Sequence, residues 1–158
     1  MAEQLAELRQ KGGNGIESNL FYTLINLGSA STSWTTNSYN GTVNDPNDSA
    51  MGTQLCPKFA HLSSGTIVVD QDIPKAYLSA SANRGRTTNG TAVYTGIQLL
   101  KNGTVISGSS IMGNSSTASP TYRRLQTSFA KGDVLTVQVK ATATGSTGFV
   151  TMNIVTDD

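Results

Sequence analysis

The Asn-Gly dipeptide between stretches of alternating apolar residues is the feature that most limits what this chain can fold into. It recurs at Asn40-Gly41, Asn89-Gly90 and Asn102-Gly103. Both central residues of a two-residue type I′ turn need positive φ, which Asn and Gly tolerate best. The segment QLLKNGTVIS, residues 98–107, therefore predicts a tight β-hairpin. The dipeptide supplies backbone geometry and no reactive group.

Apolar residues at alternate positions predict strands along most of the chain. In DVLTVQVKA, Leu135, Val137, Val139 and Ala141 fall on one face, and in GFVTMNIV the same holds for Val150, Met152 and Ile154. Further strands are predicted in NLFYTLINLG, GTIVVDQDIP (ending at Pro74), KAYLSASA, TAVYTGIQLL and YRRLQTSF. Many short strands separated by Gly, Asn and Ser predict an all-β antiparallel sandwich or barrel, and no helical periodicity after residue 12 supports βαβ units.

The strand NLFYTLINLG is predicted to be buried on both faces. Leu20, Tyr22 and Leu24 fall on one face, whereas Phe21, Thr23 and Ile25 fall on the other. Both sets are largely apolar, as in a strand with a covered layer on each side.

The N-terminal segment differs from the rest of the chain. Residues 2–11 are mostly good helix formers, with Ala2, Leu5 and Leu8 on one narrow face, and Gly12-Gly13 ends the pattern. A helix this short is marginal alone in water, so it is either a loose terminus or a tether that docks on a partner or on its own copies. We therefore divide the chain into an anchor, residues 1–18, and a β-sandwich domain, residues 19–158.

Composition excludes several classes of protein. Charged residues are 13% of the 158 residues and the net charge is +1, so the basic stripe of a nucleic-acid-binding protein is missing. Cys56 is the single cysteine, which rules out an intramolecular disulfide. The sequence has no secretory signal pattern and no apolar run long enough to cross a bilayer. We expect synthesis in a cytosol, without nucleic-acid binding or membrane insertion.

Groups that carry chemistry are few, and each has a simpler structural role. Cys56 and His61 give a C-x4-H spacing with no orienting third group, and two ligands cannot close a structural zinc site. Asp45 with Asp48, and Asp70 with Asp72, are acidic pairs typical of turns and strand ends. We therefore predict no catalytic residue, no metal ligand and no cofactor, and a protein that is not an enzyme.

The C-terminal half resembles a known family. The segments GIQLLKNGTVISGSS, RRLQTSFAKGDVLTVQV and GFVTMNIV, within residues Lys75 to Val155, are similar to the complement-C1q/tumour-necrosis-factor-like jelly rolls. In that family a strand leads into a Lys/Asn-Gly turn, a later strand follows a Gly-Asp pair, and the last strand opens with an aromatic residue, as Phe149 does here. The resemblance implies a jelly-roll sandwich and a homotrimer around a threefold axis.

The chain also resembles the small Ser/Thr/Gly/Asn-rich β-domains of bacteriophage virions, in which a short N-terminal segment attaches the domain. The resemblance implies display on a particle that is made in the bacterial cytoplasm. The expected function is a capsid decoration or head-fibre protein whose partners are its own copies and the major capsid protein or another virion protein. The expected partner-binding residues are Ala2, Leu5, Leu8, Leu20 and Tyr22.

A second function stays open: the receptor- or carbohydrate-binding tip of a tail fibre. Trp34 and Tyr39 are the candidates for surface recognition, and Tyr94 and Tyr122 are further aromatic residues that can stack on the sugar rings of a host-surface glycan. The alternative is that these aromatic side chains fill the core or an interface between protomers.

Overall fold

A computed structural model describes residues 17–26, 31–37, 54–56, 58–82, 84–87, 92–113, 121–142, 146–147 and 149–157. Within these ranges the secondary structure is entirely β. The strands are β1 Glu17–Asn26, β2 Thr35–Asn37, β3 Gln54–Leu55, β4 Ala60–Ser63, β5 Thr66–Val69, β6 Ile73–Ala82, β7 Arg84–Thr87, β8 Ala92–Lys101, β9 Thr104–Val105, β10 Ile111–Met112, β11 Thr121–Phe129, β12 Val134–Ala141, β13 Ser146–Thr147 and β14 Phe149–Asp157. The helix predicted over residues 2–11 lies outside the described residues, and the described part holds no helix able to cross a membrane.

The strands form two antiparallel sheets. The first sheet has the order β11-β6-β14-β1-β3, and the second has the order β13-β7-β8-β12-β5-β4, with β9 and β10 on β8 and β2 on β12. Along the chain, strands of the two sheets are interleaved: β1, β6, β11 and β14 belong to the first sheet, and β5, β8 and β12, which lie between them in sequence, belong to the second. This repeated crossing is that of a jelly roll. The predicted all-β jelly-roll sandwich is confirmed.

The core lies between the two sheets, where every second side chain points inward. In β12, Leu135 and Val137 are buried, as predicted, and the residues on either side of each are half-buried. Leu78 in β6 and Met152 and Ile154 in β14 meet them from the first sheet, within one cluster of buried residues. Full burial of each such side chain contributes about 1.5–3 kcal/mol, so the inward alternation is what holds the sheets together.

A β-bulge in β1 changes the predicted facing of one residue. The pairing of β1 with β14 shifts between Asn19 and Phe21. After the bulge Phe21 is buried and Tyr22 is half-buried, as alternation requires, but Leu20 is also fully buried. The prediction that Leu20 shares a face with Tyr22 is therefore wrong, because the extra residue in the bulge turns Leu20 toward the core.

Two tight hairpins have the same backbone geometry. Asn102 and Gly103 have φ of 52° and 81°, and they join β8 to β9 through the pair Lys101–Thr104. The predicted hairpin is confirmed. Ser64 and Gly65, with φ of 50° and 77°, join β4 to β5 in the same way, in a turn the sequence pattern missed because Ser is a rarer choice than Asn at such a position. Asn40-Gly41 and Asn89-Gly90 lie outside the described residues.

Pro74 does not end a strand as predicted. The segment GTIVVDQDIP is divided at residues 70–72, and Pro74 is the second residue of β6. Proline cannot donate to a neighbouring strand. It is accommodated because the pairing of β6 with β11 is irregular between Thr127 and Phe129, and the pairing with β14 starts only at Ala76.

Candidate functional site

The outward side of the first sheet is a broad surface, which we call the β14 face after its central strand. Its residues are those that alternate with the core residues of β1, β6, β11 and β14: Tyr22, Leu24, Tyr77, Ser79, Ser81, Arg124, Gln126, Thr151, Asn153 and Val155. Tyr22, Leu24, Tyr77 and Val155 are large and apolar, and each is half-buried. A single sheet face therefore carries several partly accessible apolar side chains.

Register places the members of this face in rows. Tyr22 lies opposite Asn153, and Asn153 lies opposite Ser79. In a parallel row, Thr151 lies between Leu24 and Ser81, and the hydroxyl groups of Ser81 and Thr151 are hydrogen-bonded. Small polar residues thus occupy the middle of these two rows, and Tyr22 and Leu24 lie at one end of them.

Tyr77 lies beside two cations on this face. The Nζ atom of Lys75 is 5.5 Å from the centre of the Tyr77 ring, and the guanidinium carbon of Arg124 is 5.7 Å from it. Cation–π contacts of this kind contribute about 0.5–1 kcal/mol at exposed sites. They hold the Tyr77 ring in place at the edge of the face.

The outward side of the second sheet carries a row of hydrogen-bonded polar side chains. The hydroxyl of Ser110 donates to Oε1 of Gln98 over 2.6 Å, and Nε2 of Gln98 donates to Oε1 of Gln138 over 2.7 Å. Nε2 of Gln138 then donates to Oγ1 of Thr36 over 3.3 Å. The strand register fixes this row, because Gln138 lies between Gln98 and Thr36.

A second row lies beside the first. Lys140 is opposite Gly96, and Gly96 is opposite Met112. Trp34 comes just before β2 and reaches over Gly96: a Cβ at Gly96 would lie 3.1 Å from Cη2 of Trp34 and 2.2 Å from Sδ of Met112. The Nζ atom of Lys140 is 4.8 Å from the centre of the Trp34 ring. We call the two rows together the Trp34 face.

Side-chain hydrogen bonds connect two turns at one end of the sandwich, the turn at Asn102 and the turn that precedes Asp133. Nδ2 of Asn102 donates to Oδ1 of Asp133 over 2.8 Å, and Oδ2 of Asp133 accepts from the backbone of Ala130 over 2.8 Å. Partial burial raises the pKa of Asp133, but these two hydrogen bonds and the nearby charge of Lys101 outweigh it and lower the pKa below its ordinary value. Asp133 also borders an open cleft of about 520 Å³, which Asp72 and Phe129 line as well.

The residues considered for chemistry have structural contacts. Nδ1 of His61 is 2.7 Å from Oδ1 of Asp70, on the exposed side of the β4–β5 hairpin. Asp72 accepts a hydrogen bond from the backbone of Lys131 over 2.9 Å. Cys56 is half-buried against the core. In the part of the chain that the structure describes, His, Cys, Asp and Glu residues form no group of three or more able to hold a metal ion.

The candidate partner-binding and recognition residues fall in different places. Leu20 has no exposed surface, so a partner reaches its side chain only if β1 leaves the sheet. Tyr22 lies on the β14 face, and Trp34 is half-buried on the Trp34 face. Ala2, Leu5, Leu8 and Tyr39 lie outside the described residues.

Sequence reasoning missed Gln98 and Gln138 as site residues. Alternation does place them outward, because Ile97, Leu99, Val137 and Val139 point inward. Nothing local shows that the two amides meet, since this depends on the register between β8 and β12.

Comparisons with known proteins give a similarity of fold only. No protein-family model matches the chain, and no curated protein matches it at a significant level. Crystal structures of GITRL from rabbit and pika are similar to this chain. The rabbit protein has a TM-score of 0.43 and 16% identity, with 68% of this chain and 88% of that chain covered. The pika protein has a TM-score of 0.43 and 12% identity, with 88% and 96% covered. At these values no function is transferred.

Proposed function

We propose that this chain is a non-enzymatic structural protein of a bacteriophage virion, a capsid decoration or head-fibre protein. In this proposal it assembles as a homotrimer through the β14 face, and the N-terminal segment that precedes β1 attaches it to the particle. The observation that carries the proposal is the β14 face itself, on which Tyr22, Leu24, Tyr77 and Val155 remain half-buried in the single chain.

Self-association is the simplest way to cover this face. Burial of apolar surface contributes about 25 cal/mol per Å². Several large side chains grouped on one sheet can be covered by a single partner, and so favour association more than scattered ones do. A net charge of +1 adds little repulsion between copies. The occupant we propose is a neighbouring copy of the same chain, in the closed ring that the jelly-roll resemblance implies.

The virion assignment is supported by the character of the sequence. A polar domain rich in Ser, Thr, Gly and Asn follows a short segment with one narrow apolar face, as in the phage proteins that this chain resembles. One such segment buries too little apolar surface for tight binding. Three segments on one trimer gain about 10²–10⁴-fold through effective concentration. Deletion of residues 1–11 is therefore expected to abolish attachment to particles and to leave the domain folded.

A matched pair of substitutions tests the assembly. Leu24→Arg places a charge within the β14 face, whereas Val105→Arg places the same charge at an exposed hairpin, where Val105 is 39% accessible. We expect Leu24→Arg to lower the solution mass from trimer to monomer and Val105→Arg to leave it unchanged. Far-UV circular dichroism checks that both variants remain folded. A trimer that persists in folded Leu24→Arg contradicts the proposed interface.

The alternative is a receptor- or carbohydrate-binding tip of a tail fibre. The observation that favours it is the Trp34 face, where an aromatic ring lies beside a row of amide and hydroxyl groups. The two functions use opposite sides of the sandwich, so one chain can serve both.

A further inference from the structure

We propose that the Trp34 face is a binding site for a neutral glycan. This inference rests on the second function proposed above and deepens it by naming the class of ligand, and it is independent of assembly, because the face lies on the sheet opposite the β14 face. It combines two features found side by side: a polar row of Ser110, Gln98, Gln138 and Thr36, and an aromatic ring at the neighbouring row. Sites for small polar ligands commonly pair an apolar surface with a few placed polar groups.

The polar row has the composition that recognises sugar hydroxyls. A primary amide offers two N–H donors and a carbonyl acceptor, and Gln98 and Gln138 each use one donor within the row. Gln98 is only 5% exposed although it lies on the outward side, so it is held rigidly at the base of the row. The hydroxyl-bearing residues at the two ends, Ser110 and Thr36, are exposed. A polyhydroxylated ligand fits groups of this kind because each hydroxyl both donates and accepts.

The missing side chain at Gly96 positions the aromatic ring. A Cβ there would approach Sδ of Met112 to 2.2 Å and Cη2 of Trp34 to 3.1 Å, so glycine is what admits both side chains to this part of the sheet. Trp34 therefore extends over the sheet instead of away from it. The accessible part of the half-buried indole, away from the ammonium group of Lys140, suits the C–H surface of a pyranose ring.

Charge indicates that the ligand is neutral. Of the eight residues in the two rows, only Lys140 is ionisable, and its ammonium group lies over the Trp34 ring. A cation–π contact holds that charge against the protein. An anionic glycan is instead expected where several cations converge, and the two rows lack such a cluster.

Two variants and one matched control test the site in the full-length protein. Thr36→Val keeps the side-chain shape and removes one hydroxyl, and Gln138→Leu removes the amide at the centre of the row. Thr136→Val is the control, since Thr136 lies two residues from Gln138 on the same strand and side but outside the hydrogen-bonded row. The probe is an array of neutral hexose and N-acetylhexosamine oligosaccharides with a set of acidic ones. Titration of a binding oligosaccharide is followed by the emission of Trp34, the only tryptophan of the chain.

We expect saturable binding of a neutral oligosaccharide with a change in Trp34 emission. Affinity should fall at least tenfold in Thr36→Val and in Gln138→Leu, and stay within twofold in Thr136→Val. The inference is overturned if no neutral oligosaccharide binds, if only acidic ones bind, or if both row variants bind as the wild type does. Solution mass is measured on the same samples. A monomer that binds a neutral glycan refutes the assembly alone, and a trimer that binds none refutes this inference alone.

Discussion

Removal of the Asn102 side chain is expected to destabilise the fold by a predictable amount. Nδ2 of Asn102 donates to the Asp133 carboxylate, and Oδ1 accepts from the backbone of Val134, each over 2.8 Å. A hydrogen bond to a charged group contributes about 1.5–3 kcal/mol and a neutral one about 0.5–1.5 kcal/mol. Because both are exposed, we use the lower values and expect a loss of about 2 kcal/mol.

Two substitutions separate the side-chain bonds from backbone strain. Asn102 has a φ of 52°, which glycine adopts freely and which costs alanine about 1 kcal/mol more. Asn102→Gly should therefore lower the free energy of unfolding by about 2 kcal/mol and Asn102→Ala by about 3 kcal/mol. Combining Asn102→Gly with Asp133→Ala should cost less than the sum of the two single changes, because both remove the same bond.

Urea unfolding at one fixed protein concentration measures these differences. The concentration must be fixed, since the stability of an assembling protein depends on it. With an m-value of about 2 kcal/mol per M, a loss of 2 kcal/mol moves the midpoint by about 1 M. A midpoint for Asn102→Gly within 0.2 M of the wild type, or full additivity in the double variant, would refute the proposed lock between the two turns.

Four further outcomes follow from the described contacts. Ser64→Asn should raise the free energy of unfolding by about 0.5 kcal/mol, measured in urea, because Asn tolerates the positive φ of that turn better than Ser. Gly96→Ala should cost about 1–3 kcal/mol and shift the emission of Trp34, because the new Cβ meets Met112. Leu78→Ala should cost about 2–5 kcal/mol in the same assay, since Leu78 is fully buried. The pKa of Asp133 is lowered in the folded state, so its carboxylate stabilises the fold above the ordinary pKa of 3.8, and this stabilisation is lost as pH falls below that value. The difference in the free energy of unfolding between the wild type and Asp133→Asn should therefore shrink over that pH range in acid titrations of unfolding.

Much of the fold was predictable because its signals are local. The inward faces of β12 and β14 follow from strict alternation, and the Asn102-Gly103 hairpin follows from the φ that its two residues prefer. The order of the strands was not predictable from alternation. Pairing depends on contacts between distant parts of the chain, which no single segment shows.

The errors in the predicted fold come from irregular backbone geometry. The bulge that turns Leu20 inward leaves no mark in an alternating pattern, and the start of β6 before Pro74 depends on which neighbours leave the proline unpaired. Such features are set by the partner strand rather than by the segment itself.

The candidate sites were less predictable than the fold. Trp34 was singled out as an aromatic residue in a polar stretch, but its contact with Lys140 across the sheet needs the pairing of β2 with β12. Gln98 and Gln138 belong to different strands, and their hydrogen bond exists only in this register. A binding face on a sheet is assembled by strand pairing, so a single sequence shows its members without showing that they meet.

The measurement that tests the account most directly is the solution mass of the full chain by light scattering over a range of concentrations. The expected mass is three times the chain mass of 16.6 kDa for the full chain, and three times its own smaller chain mass for a version that starts at Gly12. Loss of the trimer on that truncation would show that assembly depends on the N-terminal segment and not on the β14 face alone. A monomeric mass for both proteins at every concentration, 16.6 kDa for the full chain and correspondingly less for the shorter one, would contradict self-association through the β14 face.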